Sequence, residues 1–183
     1  MTAPIDVDGL RFDFDDSWIA LKWDEHPAYR SGLNGHQGTK AIDILALHNN
    51  DELWLIEAGD LRARSRKITH KNKRRERDEL LEDEFSGKVR DTLASATWAQ
   101  ARHPDAVDVV RYLRSAWRGP AGKVQVALWF EGIDEAQALP LEDAVRARLK
   151  WLNPKVRILN AGIAARHARQ RIQGLTVSNM AVR

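Results

Sequence analysis

The chain has 183 residues, of which 43% are apolar and seven are tryptophan, a composition typical of a folded globular protein. We expect a single domain over residues 1–183, because a chain of this length can bury most of its apolar surface in one core. The absence of cysteine excludes disulfides and thiolate zinc sites and favours a reducing, cytoplasmic setting. No apolar run approaches the ~20 residues of a membrane span, so no membrane partner is expected.

The net charge of +3 is concentrated in one part of the chain. The segment from Arg62 to Arg77, which we call the basic block, contains nine Lys or Arg and one Glu. The seven residues that follow it, DELLEDE, contain five acids, so the rest of the chain is neutral. A charge run is usually a solvated loop or a surface that docks on an acidic protein partner, and it can also neutralise nucleic-acid phosphates.

The N-terminal segment predicts a β-hairpin followed by a short helix. LRFDF (residues 10–14) and SWIALKWD (residues 17–24) each alternate apolar and polar residues, which is typical of half-buried strands. The Asp15-Asp16 pair between them is turn-like. Pro27 then opens a helical segment, and a glycine-containing loop follows it.

The next two strands are predicted to lie in the centre of a sheet. AIDILAL (residues 41–47) and ELWLIEAGD (residues 52–60) are apolar on both faces, the pattern of strands that are covered on two sides. The intervening HNND sequence has the residue types of a tight turn. These strands therefore form the predicted core of the sheet.

The second half of the chain alternates predicted helices and strands. Apolar residues keep a 3.6-residue period from Glu79 to Ala101, which predicts a long helix. Further helices are predicted at residues 105–117 and 140–152, and strands at residues 123–132, 155–163 and 175–179. The predicted fold class is α+β, with a mixed central β-sheet flanked by helices.

Two carboxylates interrupt the apolar central strands, Asp43 in the first and Glu57 in the second. A buried, ionised acid is strongly destabilising unless it is paired, hydrogen-bonded or bound to a metal. Two acids facing each other would also repel, and a divalent cation between them would relieve both problems. Hard oxygen ligands of this kind suit Mg²⁺ or Mn²⁺.

The register of the two strands decides whether the acids meet. They lie opposite each other only if His48 pairs with Glu52, whereas a shift of one residue would send them to opposite faces of the sheet. The alternative to a metal site is a buried ion pair of one acid with Lys40 or Arg62.

The same residues resemble the PD-(D/E)XK nuclease superfamily. KAIDILALHNNDELWLIEAGDLR (residues 40–62) has an Asp, a Glu at the end of an apolar strand, and then a basic stretch, and GKVRDTLASA (residues 87–96) is similar to the family's following helix. The resemblance covers residues 17–101 and implies a restriction-endonuclease-like core. It also implies that Asp43, Glu57 and the carbonyl of Ala58 hold Mg²⁺ or Mn²⁺.

The chain departs from the family pattern at Gly59, where the family has a lysine that orients or deprotonates the attacking water. Three explanations remain open: the protein has lost activity, a lysine from elsewhere has taken the role, or the glycine is an engineered change. Lys88 on the following helix is the preferred replacement, and Lys40 is the second. The family often adds one more acid from an N-terminal element, for which Asp24 or Glu25 is the candidate.

The function implied by the resemblance is binding of nucleic acid, DNA rather than RNA, with metal-dependent endonuclease cleavage, in defence against foreign nucleic acid. The alternative is a catalytically inactive nuclease fold that serves as a nucleic-acid-binding or protein-assembly subunit. An oligomer is compatible with this role. In either case the basic block is the expected phosphate-contacting surface. Its residues are Arg62, Arg64, Arg66, Lys67, Lys71, Lys73, Arg74, Arg75 and Arg77.

Overall fold

The computed structural model describes residues 3–32, 38–60, 74–103, 106–118, 124–167 and 171–180, with the side chains of residues 60, 74–80, 115 and 118 left out. The strands in these ranges are β1 (Ile5–Val7), β2 (Leu10–Phe14), β3 (Trp18–Lys22), β4 (Ile44–His48), β5 (Glu52–Asp60), β6 (Val124–Glu131), β7 (Lys155–Leu159) and β8 (Leu175–Asn179). The helices are α1 (Pro27–Arg30), α2 (Arg74–Arg102), α3 (Val109–Arg118), α4 (Glu135–Arg148) and α5 (Ala161–Arg166).

The predicted mixed sheet is present and has five strands in the order β3-β4-β5-β6-β7. Strands β3, β4 and β5 are antiparallel neighbours, whereas β6 and β7 continue the sheet in parallel with β5. The parallel pairs are joined through helices, as parallel connections require. Every residue of β4 and residues 53–59 of β5 are buried, which confirms that both strands are covered on two sides.

The predicted hairpin of β2 and β3 is wrong, because the two strands lie in different sheets. Strand β2 pairs with β1 and with the C-terminal β8 in a separate three-stranded antiparallel sheet, whereas β3 pairs with β4. The turn between them is real: the Asp15 carboxylate accepts a hydrogen bond from the Ser17 backbone N–H at 2.8 Å. The turn redirects the chain from one sheet to the other, and alternation alone does not distinguish the two arrangements.

At β6, a helix covers one face of the five-stranded sheet and the three-stranded sheet covers the other. Phe85 of α2 packs on Phe130 of β6, with 4.8 Å between ring centroids. The neighbouring Trp129 points to the other face, as alternation requires, and packs on Phe12 of the small sheet at 6.2 Å. The two sheets and the helices share one continuous hydrophobic core.

Two predicted boundaries in the second half shift for identifiable local reasons. Helix α4 begins at Glu135 instead of residue 140, because Asp134 and Gln137 form a reciprocal capping box, and Pro140 lies inside the helix. Strand β7 ends at Leu159 instead of residue 163, because the Asn160 side chain caps α5. Helix α3 begins at Val109, and residue 105, its predicted start, lies outside the described ranges. None of the described helices has the length and apolarity needed to cross a lipid bilayer.

Candidate carboxylate–lysine site

The register of β4 and β5 is the one that brings the two acids together. His48 pairs with Glu52 and Ile44 pairs with Ile56, so the next pair along the ladder is Asp43 opposite Glu57. The turn sets this register: the Asp51 N–H donates to the His48 carbonyl at 3.0 Å, and the two asparagines between them have positive φ angles of 51° and 58°. Asparagine tolerates this left-handed conformation better than most residues do. Of the two registers that the sequence left open, the structure has the one that places the acids opposite each other.

Asp43 lies just before β4 and is held by backbone groups on both sides. Its Oδ2 accepts a hydrogen bond from the Ala58 N–H at 2.8 Å, and its own carbonyl accepts one from the Trp23 N–H at 2.8 Å. Removal from water raises the pKa of Asp43 to about 6, although the Ala58 hydrogen bond and the charge of Lys88 act in the opposite direction. The side chain is therefore a poorly solvated carboxyl in a fixed position.

Glu57 is the most deeply buried acid of the site, with 1% of its surface exposed. Lys88 of α2 forms a salt bridge with it, donating from Nζ to Oε1. The lysine side chain is itself only 13% exposed, so the pair is shielded from solvent. Of the two lysines considered from the sequence, the structure brings Lys88 to the acids.

Lys40 takes no such position. It is exposed, and its recorded hydrogen bond is made by the backbone N–H to Asp91 Oδ2 at 3.3 Å. Within the part of the chain that the structure describes, its ammonium makes no ion pair with Asp43 or Glu57. The alternative ion pair with Arg62 falls outside the described residues.

Asp24 is a third acid close to the site. It follows Trp23, whose backbone is hydrogen-bonded to Asp43, and its charge acts on the pKa of Asp43. Burial raises the pKa of Asp24, and its Oδ1 is buried without a hydrogen-bond partner among the described atoms. Glu25, by contrast, is exposed and pairs with Lys22 at 2.9 Å. The structure thus selects Asp24 from the two N-terminal candidates.

Two buried polar residues of α2 position Lys88, and the sequence reasoning missed both. Thr92 Oγ1 accepts a hydrogen bond from the Ile42 N–H at 2.9 Å, and Ser95 Oγ accepts one from the Trp23 indole at 3.2 Å. Thr92 is 0% exposed and lies one helical turn after Lys88. A small hydroxyl residue at an inward position of a periodic helix is the signal that could have identified them.

Only the last part of the basic block lies within the described residues. Six of its members lie in the range 61–73, outside the described part of the chain: Arg62, Arg64, Arg66, Lys67, Lys71 and Lys73. Arg74, Arg75 and Arg77 lie in the first turns of α2, where the backbone is described but the side chains are not.

The acids of the site carry oxygen donors, the ligand type that hard divalent cations prefer. Asp43, Glu57 and Asp24 supply carboxylate oxygens, and one of those of Asp24 is buried without a protein donor. No group of three or more His, Asp or Glu side chains within the described ranges is already arranged around a common metal position. In this arrangement the ammonium of Lys88 supplies the positive charge beside Glu57.

Comparisons with protein-family models, with curated proteins and with solved structures give no significant match.

The raised pKa of Asp43 predicts a pH-dependent loss of stability. Between about pH 4 and 6 the folded protein keeps a proton on Asp43 that the unfolded chain has released, so stability falls as pH rises through this window. The loss from this one group is up to about 3 kcal/mol. Urea unfolding in EDTA across pH 4–8 should therefore show a fall in stability that is smaller in Asp43→Asn than in the wild type, because the amide oxygen of the variant still accepts from Ala58 but does not titrate.

The matched control is Asp13→Asn, which changes an exposed acid of β2. This variant should keep the wild-type slope of stability against pH. If Asp43→Asn has the wild-type slope as well, the buried carboxyl is not the group responsible.

Proposed function

We propose that this protein is a PD-(D/E)XK-like phosphodiesterase that cleaves DNA with Mg²⁺ or Mn²⁺, and that Lys88 takes the role of the lysine missing at position 59. The observation that carries the proposal is the contact of Lys88 with Glu57. Lys88, on the helix that follows β5, contacts Glu57, and a lysine at position 59 of β5 would lie beside the same carboxylate. The ammonium of Lys88 thus takes the place of the lysine that is missing at position 59.

Support for a restriction-endonuclease-like core comes from the order of parts along the chain. Two adjacent central strands bring Asp43 and Glu57 opposite each other, and the long helix α2 follows them and crosses the same end of the sheet. The basic block lies between β5 and the body of α2, next in sequence to the acids. This placement suits a phosphate-binding surface beside the site.

The chemistry can be divided between the bound ion and the protein. Asp43, Glu57 and the carbonyl of Ala58 would hold Mg²⁺ or Mn²⁺, with Asp24 beside them, and the ion would polarise the scissile phosphate and acidify water. Lys88 has three N–H donors on a flexible stem, so it can hold an attacking water or a phosphate oxygen by hydrogen bonds. The burial of the site strengthens each of these electrostatic contacts.

The second candidate is an inactive nuclease fold that binds nucleic acid or assembles with a protein. It is favoured by the same ion pair, because Lys88 also neutralises a carboxylate that would otherwise be buried and charged. Under this alternative, Gly59 marks the loss of catalysis, and Asp43→Ala has no effect on nucleic-acid binding.

A cleavage assay separates the two functions. Purified protein is incubated with Mg²⁺ or Mn²⁺ and with single-stranded DNA, duplex DNA and RNA, alongside EDTA controls. The proposal expects metal-dependent cleavage of DNA that falls at least about 100-fold in Asp43→Ala and in Glu57→Ala. Glu25→Ala, which removes an exposed acid close to Asp24 in sequence, should retain activity. Cleavage that persists in both site variants would show that the chemistry lies elsewhere.

A further inference from the structure

The outer face of α3 is a second candidate binding surface. The helix packs against α2 and on β4 and β5, and its inner face consists of Val109, Tyr112 and Leu113, each at most 2% exposed. Because an α-helix has about 3.6 residues per turn, Arg111 and Arg114 lie on the opposite face, where both are exposed to solvent. The core thus holds the helix in place while two arginines of it face outward.

The arginines of this face differ from most others of the protein in having no carboxylate partner. Six arginines form ion pairs with acids on the surface, namely Arg11, Arg30, Arg90, Arg146, Arg148 and Arg166. Among the residues that the structure describes, the guanidiniums of Arg111 and Arg114 make no ion pair and no hydrogen bond. Their charge is therefore available to a partner.

Trp117 extends the outer face of α3 by one further position. It is 62% exposed and lies three residues after Arg114, so the two side chains are neighbours on the helix surface. Arginine and tryptophan are enriched where one macromolecule covers another, whereas lysine and glutamate are depleted there. The combination indicates a face that is covered by a partner.

The charge of the face indicates the kind of partner. Asp108 is the only acid in the sequence of residues 106–118, and it is engaged at the start of the helix. Its Oδ1 accepts a hydrogen bond from the Val109 N–H at 2.9 Å, and its Oδ2 lies 3.7 Å from Nε2 of His26. The outer face is therefore cationic, and arginine binds phosphate oxygens through paired hydrogen bonds. Side chains three residues apart on a helix are close enough to contact one phosphate backbone together.

We propose that the outer face of α3 binds the phosphate backbone of nucleic acid. Arg111 and Arg114 contact neighbouring phosphates, and Trp117 packs against the adjoining nucleotide. Contacts of this kind release counterions and read no base sequence. The inference rests on the proposed function and deepens it, since it places a surface that holds the substrate on a helix packed on β4 and β5, the strands that bring Asp43 and Glu57 together.

The test measures binding of a fluorescently labelled DNA duplex by anisotropy, with the full chain in EDTA so that no metal-dependent cleavage interferes. The double variant Arg111→Gln with Arg114→Gln should weaken binding on the order of tenfold at low salt. It should also lower the slope of log affinity against log salt by about two, one for each phosphate contact. Trp117→Ala should weaken binding without changing this slope, because it removes contact area and no charge.

Arg146→Gln with Arg148→Gln is the matched control. It changes the net charge by the same amount, but the two side chains, 45% and 49% exposed, already pair with acids of the protein. This variant should bind DNA within about twofold of the wild type. Equal losses in the two double variants would overturn the proposal, because net charge alone would then explain them.

Two further outcomes would also overturn it. One is a wild type that does not bind DNA. The other is a double variant of Arg111 and Arg114 that binds DNA normally but no longer binds vesicles containing phosphatidylserine, since the face would then contact a lipid surface. The proposed function is tested separately by cleavage: a wild type that binds DNA through α3 and does not cleave it with Mg²⁺ or Mn²⁺ contradicts the nuclease proposal and supports this surface.

Discussion

Replacing Lys88 with methionine is expected to lower the free energy of unfolding by about 3–5 kcal/mol. The reason is the burial of its partner: Glu57 is 1% exposed, so the variant removes the countercharge that Lys88 supplies to a carboxylate shielded from water. Methionine keeps most of the aliphatic volume, so the effect reports charge and not packing. Urea or guanidinium unfolding of both proteins at neutral pH measures the difference.

The double variant Lys88→Met with Glu57→Gln separates the charge effect from other damage. Because it removes both charges, it should recover most of the stability lost in the single variant. Arg90→Met is the matched control on the same helix: its side chain is 68% exposed, and its loss should change stability by less than about 0.5 kcal/mol. A Lys88→Met variant as stable as Arg90→Met would contradict the buried ion pair.

The second large effect concerns catalysis and position 59. In an active wild type, Lys88→Met should reduce DNA cleavage at least about 100-fold, and adding Gly59→Lys to that variant should restore a substantial part of it. Residue 59 lies two positions after Glu57 and therefore on the same face of β5. It pairs with Phe130, whose ring contacts Phe85, so this face is the one that α2 covers.

Restoration at position 59 distinguishes a catalytic lysine from a structural one. Gly59→Ala in the Lys88→Met background is the control, since it adds a side chain without an amine and should not restore cleavage. Recovery by both substitutions would mean that Lys88 acts through folding alone. If the wild type is inactive and Gly59→Lys alone produces metal-dependent cleavage, the fold is a nuclease that lost its lysine, which supports the inactive alternative.

Much of the site was predictable from short stretches of sequence. The apolar pattern identified β4 and β5 as covered strands, and the HNND turn was compatible with two registers that differ by one residue. In the register that forms, Asp43 and Glu57 must lie opposite each other. The 3.6-residue period that continues through Phe85 and Val89 placed Lys88 on the helix that follows these strands. Each inference depends on residues a few positions apart, where backbone geometry leaves few choices.

The tertiary structure decided what such local patterns leave open. The alternation of β2 fits a hairpin with β3 equally well, yet β2 pairs with β8, more than 150 residues away in the chain. Asp24 and Glu25 are neighbours in sequence, and only packing decides that Asp24 lies beside Asp43 while Glu25 faces solvent.

The lysine beside Glu57 could likewise be identified only in part from the sequence. The sequence by itself determined that β5 ends in a buried acid without a lysine two residues later. That Lys88, and not Lys40, approaches this acid depends on how α2 crosses the sheet, which Thr92 and Ser95 help to set through bonds to distant strands. Spacing along one strand is imposed by the chain itself. The meeting of a helix with a strand depends on the sum of many non-local contacts, so it can be established only in the folded protein.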